Sequence, residues 1–206
     1  MTLPPALVAL SPGELRSADL RGFESRVARA ARAGLRGLVL RERGLTDREL
    51  LELAQRVRGA VAWLAVHDRP HLAREARADA VQLGGRSLAP SAVREWLDPM
   101  ISIGFSSHEG DDPLAWRGAD FLLHAPIADT RKPTGLLPGI GFEALARAVR
   151  AAQRPVWALG GLAPEHAAAV RASGASGMAV LSGILPRDDV EARVGAYLAN
   201  WAEVGG

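Results

Sequence analysis

Residues 156–185, with the sequence VWALGGLAPEHAAAVRASGASGMAVLSGIL, decide the fold that we predict for this chain. The segment reads as a buried strand, a Gly-Gly turn, a helix, a second buried strand and a Ser-Gly turn. Parallel strands joined through a helix place both turns at the same edge of the sheet. Glycines let an anion approach backbone N–H groups, and the loops after strands 7 and 8 of (β/α)8 barrels form a common phosphate site. The segment therefore predicts a barrel and a phosphorylated ligand.

The rest of the chain repeats this alternation of short apolar runs and longer helical segments. The runs predicted as buried strands are 6–10, 37–41, 61–66, 80–83, 100–105, 121–127, 156–161 and 178–183. The segments predicted as helices are 23–34, 47–58, 70–77, 90–97, 142–153, 164–173 and 188–202. Strand–helix pairs of about 25 residues each favour a single α/β domain, a (β/α)8 TIM barrel over residues 1–206. A doubly wound open sheet is the alternative, which the lack of an early G-x-G-x-x-G turn disfavours.

The composition excludes several classes of function. With no cysteine, the chain offers no disulfide, thiolate metal site or cysteine nucleophile. The net charge is only +2, and the arginines lie beside acidic residues on predicted helices without interleaved aromatic residues, which disfavours nucleic-acid binding. No signal peptide is visible, and no apolar run reaches the ~18 residues of a membrane span. We expect a cytoplasmic protein that binds neither membrane nor nucleic acid and whose partner is a small molecule.

The residues that follow the strands are the candidates for chemistry, because active sites of such barrels lie where the strands end. Arg41 and Arg43 follow the second strand on the same side, where two guanidinium groups can clamp a phosphate or a carboxylate. Asp68 follows the third strand and is either a metal ligand or the N-cap of the next helix. Ser106 ends the fifth strand, where a hydroxyl group suits anion binding.

The sixth strand and the loop after it carry three more candidates. His124 and Pro126 lie on the same face of the strand, and if that face is the lumen, the imidazole is a candidate general acid–base. A histidine satisfied within the core is the equal alternative. Thr130 and Lys132 follow the strand. Lys132 is the only lysine beside 24 arginines, which suggests that its compact ammonium group is needed.

These motifs, in this order, resemble the thiamine phosphate synthase/TenI superfamily over roughly residues 35–185. The stretches that carry the resemblance are LRER (40–43), VHDRPHLA (66–73), AVQLG (80–84), IGFSSH (103–108), GADFLLHAPI (118–127) and residues 156–185. The resemblance implies a barrel of thiamine biosynthesis that forms a homodimer and binds a phosphorylated heterocycle. The residues it assigns to the phosphate are Gly160, Gly161, Leu181, Ser182 and Gly183.

The superfamily has two enzymatic branches, and the chain departs from both. Synthases join a pyrimidine pyrophosphate to a thiazole phosphate with Mg²⁺, whereas TenI-type proteins isomerise a thiazole carboxylate phosphate. Val39 and Arg43 stand where synthases carry Gln and Lys on the second strand, and Arg86 lies in the region of a second acidic Mg²⁺ ligand. The proposed catalytic His of the TenI branch comes two residues after His124, where this chain has Pro126.

The first interpretation is a TenI-like thiazole tautomerase that needs no cofactor. In it, His124 moves the proton, while Arg41 and Lys132 hold the substrate carboxylate or offset its charge. Arg-Glu-Arg after the second strand and Val81-Gln82-Leu83 on the fourth strand resemble this branch.

Two other interpretations are the alternatives. One is a thiamine phosphate synthase with Mg²⁺ as its cofactor, in which Asp68 is a metal ligand and Ser106, Thr130 and Lys132 complete the site. The other is a regulator without catalytic activity, which has kept the phosphate site and binds a thiamine precursor.

Overall fold

The computed structural model describes residues 2–132 and 135–203, and eight parallel strands close into a barrel within them. The barrel strands are β1 (Leu7–Leu10), β2 (Gly37–Leu40), β3 (Trp63–His67), β4 (Ala80–Leu83), β5 (Ser102–Ser107), β6 (Phe121–His124), β9 (Val156–Leu159) and β10 (Gly177–Val180). Each strand pairs with the next in this order, and β10 pairs with β1 to close the barrel. The predicted TIM barrel is confirmed. An antiparallel hairpin that the sequence analysis missed, β7 (Thr130–Lys132) and β8 (Gly135–Leu137), lies between β6 and β9.

The helices of the described residues surround the barrel. They are α1 (Leu20–Arg32), α2 (Asp47–Arg58), α3 (Pro90–Arg94), α4 (Phe142–Ala152), α5 (Ala167–Ala172) and α6 (Val190–Glu203). Helix α2 begins at the predicted residue because Thr46 and Glu49 form a reciprocal capping box, in which each side chain accepts the other's backbone N–H. Within residues 2–132 and 135–203, every helix is too short or too polar to cross a membrane.

Several predicted helices are shorter than expected. Segment 70–77 contains only the 3-10 turn Pro70–Leu72, and the left-handed backbone of Arg77 (φ 49°) reverses the chain before β4. The helix expected over 90–97 ends at Arg94. A 3-10 turn, Pro164–His166, replaces the first part of the helix expected over 164–173. After β3, β4 and β9, turns or 3-10 turns therefore replace part or all of the predicted helix, and the helices cover these parts of the barrel wall less fully.

The strand residues alternate between the barrel interior and the layer beneath the helices. Val8, Val39, Ala65, Leu123 and Ala179 belong to the interior cluster. At the N-terminal end of the barrel, the ring of Phe121 lies between the rings of Trp63 and Trp157, with centroids 5.9 and 5.7 Å apart. These aromatic rings fill the N-terminal end of the lumen, so the opposite end is the candidate site.

Candidate functional site

The strand alternation determines which side chains reach the C-terminal opening of the barrel, which we call the mouth. Val39, Ala65 and Ala80 pack in the barrel interior. Residues two positions further along the chain lie on the same face and reach the mouth. They are Arg41, His67 and Gln82. The mouth therefore holds a guanidinium, an imidazole and a carboxamide on three adjacent strands.

Arg41 is fixed at the mouth by the loop that follows β1. Its backbone N–H donates to Ser11 Oγ at 2.7 Å, and its guanidinium packs so closely on Gly13 that a side chain there would overlap it. Burial lowers the pKa of Arg41, and the nearby charges of Arg43 and Arg86 lower it further. Three positive charges thus share the mouth, as the predicted anion clamp requires, although its ligand stays a prediction.

Glu42 organises this loop and is unavailable to a ligand. Its side chain is 3% exposed, and its two oxygens accept the backbone N–H groups of Gly13 and Leu15 at 2.9 and 2.8 Å. A buried carboxylate with both oxygens bonded is a structural anchor. Glu42 therefore holds the β1 loop against β2 and positions Arg41.

His67 and Asp68 border the arginines. Burial, followed by the charge of Arg41, lowers the pKa of His67 to about 4, with Asp68 opposing the shift. The imidazole is therefore neutral at neutral pH. Asp68 is exposed and adopts a left-handed backbone (φ 58°) that its N–H stabilises by donating to Gln82 O at 3.0 Å. Asp68 caps no helix, and its predicted role as a metal ligand stays a prediction.

Gln82 is a site residue that the sequence analysis missed. Its amide Nε2 donates to Ser106 Oγ at 3.0 Å and to the carbonyl of Leu83 at 3.3 Å. Because the Ser106 oxygen accepts this bond, the hydroxyl proton is free to donate to a ligand. A polar residue two positions after interior Ala80 was the signal in the sequence. The orientation of Ser106 suits the anion-binding role predicted for it, and that role stays a prediction.

The Gly-Gly turn after β9 is glycine for a packing reason. Gly160 and Gly161 have φ angles of 95° and 66°. A Cβ at Gly160 would lie 2.8 Å from Cα of Pro126, and a Cβ at Gly161 would overlap the backbone of Ala128 and Asp129. The loop after β6 therefore packs directly on the turn, and the phosphate-binding role of the two glycines stays a prediction.

The turn after β10 lies beside it. Leu181 packs on the interior cluster, and Ser182 is exposed. A Cβ at Gly183 would overlap the buried hydroxyl of Tyr197, which donates to the carbonyl of Leu162 at 2.7 Å. Helix α6 thus fastens both glycine turns to each other through one hydroxyl group. Ser182 is left with its hydroxyl open to a ligand.

The β7–β8 hairpin continues the loop that covers the Gly-Gly turn. Thr130 pairs with Leu137 across the hairpin, and the Asp129 carboxylate accepts the N–H of Gly139 at 2.9 Å. The side chain of Lys132 lies outside the described residues, so its predicted contact with substrate stays a prediction. Thr130, the first residue of the hairpin, directly follows Asp129 of the loop that packs on Gly161.

His124 does not face the lumen, the condition on which its predicted role as a general acid–base depended, and the alternative of a histidine within the core fits its position. Its neighbour Leu123 packs in the interior, so alternation turns His124 outward, beneath α4. The imidazole is 5% exposed, its Nδ1 lies 3.0 Å from Ser107 Oγ, and it borders a cavity of about 240 Å³ that Trp116 and Ala148 also line. Burial lowers its pKa. The barrel wall thus separates His124 from the mouth.

The comparisons with known proteins identify the family. The sequence profile described as thiamine monophosphate synthase matches residues 12–184. The chain belongs to this family. It is 35% identical over 170 residues to a thiamine-phosphate synthase of Moorella thermoacetica, covering 79% of this chain and 80% of that protein. A thiamine-phosphate synthase of Laribacter hongkongensis is 34% identical over 170 residues, covering 80% and 81%.

A solved structure supports the same assignment. The thiamine phosphate pyrophosphorylase of Pyrococcus furiosus superposes with a TM-score of 0.81 at 27% identity, covering 97% of this chain and 96% of that one. The resemblance of the strand-end motifs to this family is therefore confirmed, as is the prediction of an enzyme of thiamine biosynthesis.

The mouth of this family member does not fit the Mg²⁺ that the resemblance implies for a synthase. Mg²⁺ prefers oxygen ligands and negative charge. No group of three or more His, Asp or Glu side chains within the described residues is arranged to hold a metal ion. Both oxygens of Glu42 are bonded to backbone N–H groups, which leaves Asp68 as the open carboxylate at a mouth that holds three arginines. A divalent cation there would be repelled by the guanidinium groups.

Proposed function

We propose that this protein is a thiamine phosphate synthase, which joins a pyrimidine diphosphate to a thiazole phosphate and releases diphosphate. The observation that carries the proposal is that groups able to donate to an anion lie on two sides of one mouth. Arginine and hydroxyl side chains lie beside β2 to β5, and glycine turns with Ser182 lie beside β9 and β10. A tautomerase would place the carboxylate and the phosphate of one substrate on these two sides, but three guanidinium groups supply more positive charge than one carboxylate needs and suit a diphosphate. The relatives named above are also synthases.

The arginine side takes the diphosphate. Arg41 offers planar donors suited to paired phosphate oxygens, and Ser106 offers a hydroxyl whose proton Gln82 leaves free. Arg43 extends the positive charge towards solvent, where it attracts the substrate. His67 stays neutral between them and is available as a hydrogen-bond partner for the pyrimidine.

The glycine side takes the monophosphate of the thiazole. Ser182 offers its hydroxyl, and within the described residues the backbone N–H groups of residues 181–183 donate to no other backbone group, so they can bind phosphate oxygens. Gly160 and Gly161 hold the loop after β6 against this side, which fixes Thr130 near the second substrate. The two phosphates then anchor the rings above the apolar floor, with the thiazole nitrogen facing the pyrimidine.

The reaction requires positioning and charge neutralisation. The bond between the pyrimidine methylene carbon and the diphosphate oxygen breaks, and its electron pair leaves with the diphosphate. The lone pair of the thiazole nitrogen forms the new carbon–nitrogen bond. The dry floor built on Phe121 and Leu123 keeps water from competing with that nitrogen.

The tautomerase interpretation lacks its proton carrier at the mouth. His124 lies beneath α4 on the other side of the barrel wall, and Pro126 carries no titratable group. His67 is the imidazole nearest the arginines, and its low pKa makes it a weak base.

A coupling assay with both purified substrates tests the proposal. We expect thiamine phosphate and diphosphate to appear in equal amounts, and neither to appear when one substrate is omitted. Isomerisation of the thiazole carboxylate phosphate without coupling would favour the tautomerase. Tight binding of the thiazole phosphate without either turnover would favour the regulator, and both results would reject the synthase.

A further inference from the structure

Three arginine side chains at the mouth have no acidic partner. Within the described residues, no ion pair or side-chain hydrogen bond involves the guanidinium groups of Arg41, Arg43 or Arg86. Elsewhere the chain pairs such groups: Arg94 with Asp120 at 2.5 Å, for example. The half-buried position of Arg41 makes the missing partner costly, because a partly desolvated charge needs a counter-charge.

The three charges act on a common space. Arg43 follows β2 two residues after Arg41, and Arg86 lies in the turn after β4, which Ser87 closes by accepting the N–H of Gly84 at 2.9 Å. Both side chains are near enough to Arg41 for their repulsion to lower its pKa. Like charges gathered at one opening are stabilised when a polyanion binds between them.

Carboxylates are scarce at this side of the mouth. Glu42 is bonded to backbone N–H groups, and Asp47 is paired with Arg69 and His71. Within residues 41–47, 68–71 and 84–87, which directly follow β2, β3 and β4, Asp68 is therefore the carboxylate left open to a ligand. One carboxylate among three guanidinium groups is a poor cation site and a good polyanion site.

We propose that this arginine cluster binds the diphosphate of the substrate, and the diphosphate that leaves, without a divalent metal ion. Arg86 supplies the positive charge that a metal ion would otherwise supply. The identity of the leaving group rests on the proposed function. The bond changes of the coupling consume no proton, electron or further reactant, so the guanidinium groups need only neutralise the charge that develops on the departing oxygen.

The first experiment measures the binding of inorganic diphosphate to the whole protein by calorimetry, once with EDTA and once with excess MgCl2. We expect binding in EDTA, with a Kd within about threefold of the value in MgCl2, because the arginines supply the charge. Binding that occurs only with MgCl2 would overturn the proposal.

The second experiment changes the charge at one position. In EDTA, Arg86→Asp should weaken diphosphate binding at least about tenfold, since a cation is replaced by an anion. MgCl2 should then restore the affinity, because the new carboxylate and Asp68 together can hold the metal. Arg36→Asp is the matched control, since this exposed residue precedes β2 at the other end of the barrel and should leave binding unchanged. Wild-type affinity of Arg86→Asp in EDTA would also overturn the proposal.

The coupling assay separates this inference from the proposed function. Coupling that strictly requires Mg²⁺ would reject the metal-free site and leave the synthase standing. Diphosphate binding in EDTA without any coupling would reject the synthase and leave the metal-free anion site standing.

Discussion

The two sides of the mouth are built in different ways. Beside β2 to β5, side chains form the surface, and Glu42 and Gln82 hold Arg41 and Ser106 in place. Beside β9 and β10, the chain itself forms the surface, and the glycines are needed because other backbone packs against them. A side-chain site can lose one group and keep its fold. A backbone site cannot change a residue without moving its neighbours.

The largest effect should come from Gly161→Ala on the backbone side. Its φ of 66° and the overlap of the new Cβ with Ala128 and Asp129 should together lower the free energy of unfolding by about 3 kcal/mol. Urea denaturation measures this. Gly110→Ala is the matched control, because its φ is 83° in a turn but nothing lies within 4 Å of its Cβ position, so about 1 kcal/mol is expected. Equal losses in the two variants would remove packing as the reason for Gly161.

On the side-chain half, Arg41→Ala should leave the fold intact and damage binding. We expect kcat/KM for the pyrimidine diphosphate to fall about 100-fold, since charged hydrogen bonds to the diphosphate are lost. The free energy of unfolding should not fall, since the variant removes a half-buried charge that has no acidic partner. Arg56→Ala on α2, an exposed arginine at the other end of the barrel, is the control and should keep full activity. A large loss of stability in Arg41→Ala would contradict the contrast between the two sides.

A smaller effect is expected on the pH dependence of stability, because His67 lies near the arginines. Its folded pKa of about 4 lies below the ordinary 6.5, so between these values the unfolded chain binds more protons than the folded one. Stability should therefore fall as the pH drops from 6.5 towards 4, and His67 should make no such contribution above pH 6.5. His67→Gln should flatten this part of the profile in urea denaturation.

The same histidine can be followed directly. An NMR titration of its ring protons should give a pKa well below 6.5, and Arg41→Ala should raise that pKa by removing a neighbouring positive charge. A ring that titrates near 6.5 in the wild type would show that the histidine is solvated and remote from the arginines.

The sequence was sufficient for the barrel because its apolar runs are periodic and its glycine turns are local signals. The start of α2 is also a local feature, since the capping box of Thr46 and Glu49 spans only four residues. The side of a strand that faces the lumen is a tertiary property. In β6, which alternate residues face the lumen depends on the register of the strand in the barrel. The run FLLHAPI is mostly apolar on both faces, so its pattern does not reveal the register. His124 was misplaced for this reason.

Gln82 was missed for a related reason. Gln82 is a site residue because it contacts Ser106, which lies 24 residues away on the next strand, and no local sequence pattern shows this contact. The glycines at 160 and 161 were recognised as special, but their packing against the loop after β6 could be seen only after the chain had folded. A local sequence pattern thus predicts the backbone conformation of a turn, but it does not predict which distant residues pack against that turn.

The smallest effect on turnover is expected for His124→Ala, and this small effect tests whether His124 is separated from the mouth. The imidazole lies on the outer face of the barrel wall, so the coupling rate should stay within about twofold of the wild type. Loss of its packing and hydrogen bond should lower the free energy of unfolding by about 1 kcal/mol. Ser107→Ala removes the same hydrogen bond from the other partner and should behave alike. A drop in turnover of tenfold or more in His124→Ala, with Ser107→Ala unaffected, would mean that His124 reaches the substrate and that the two faces of β6 are not separate.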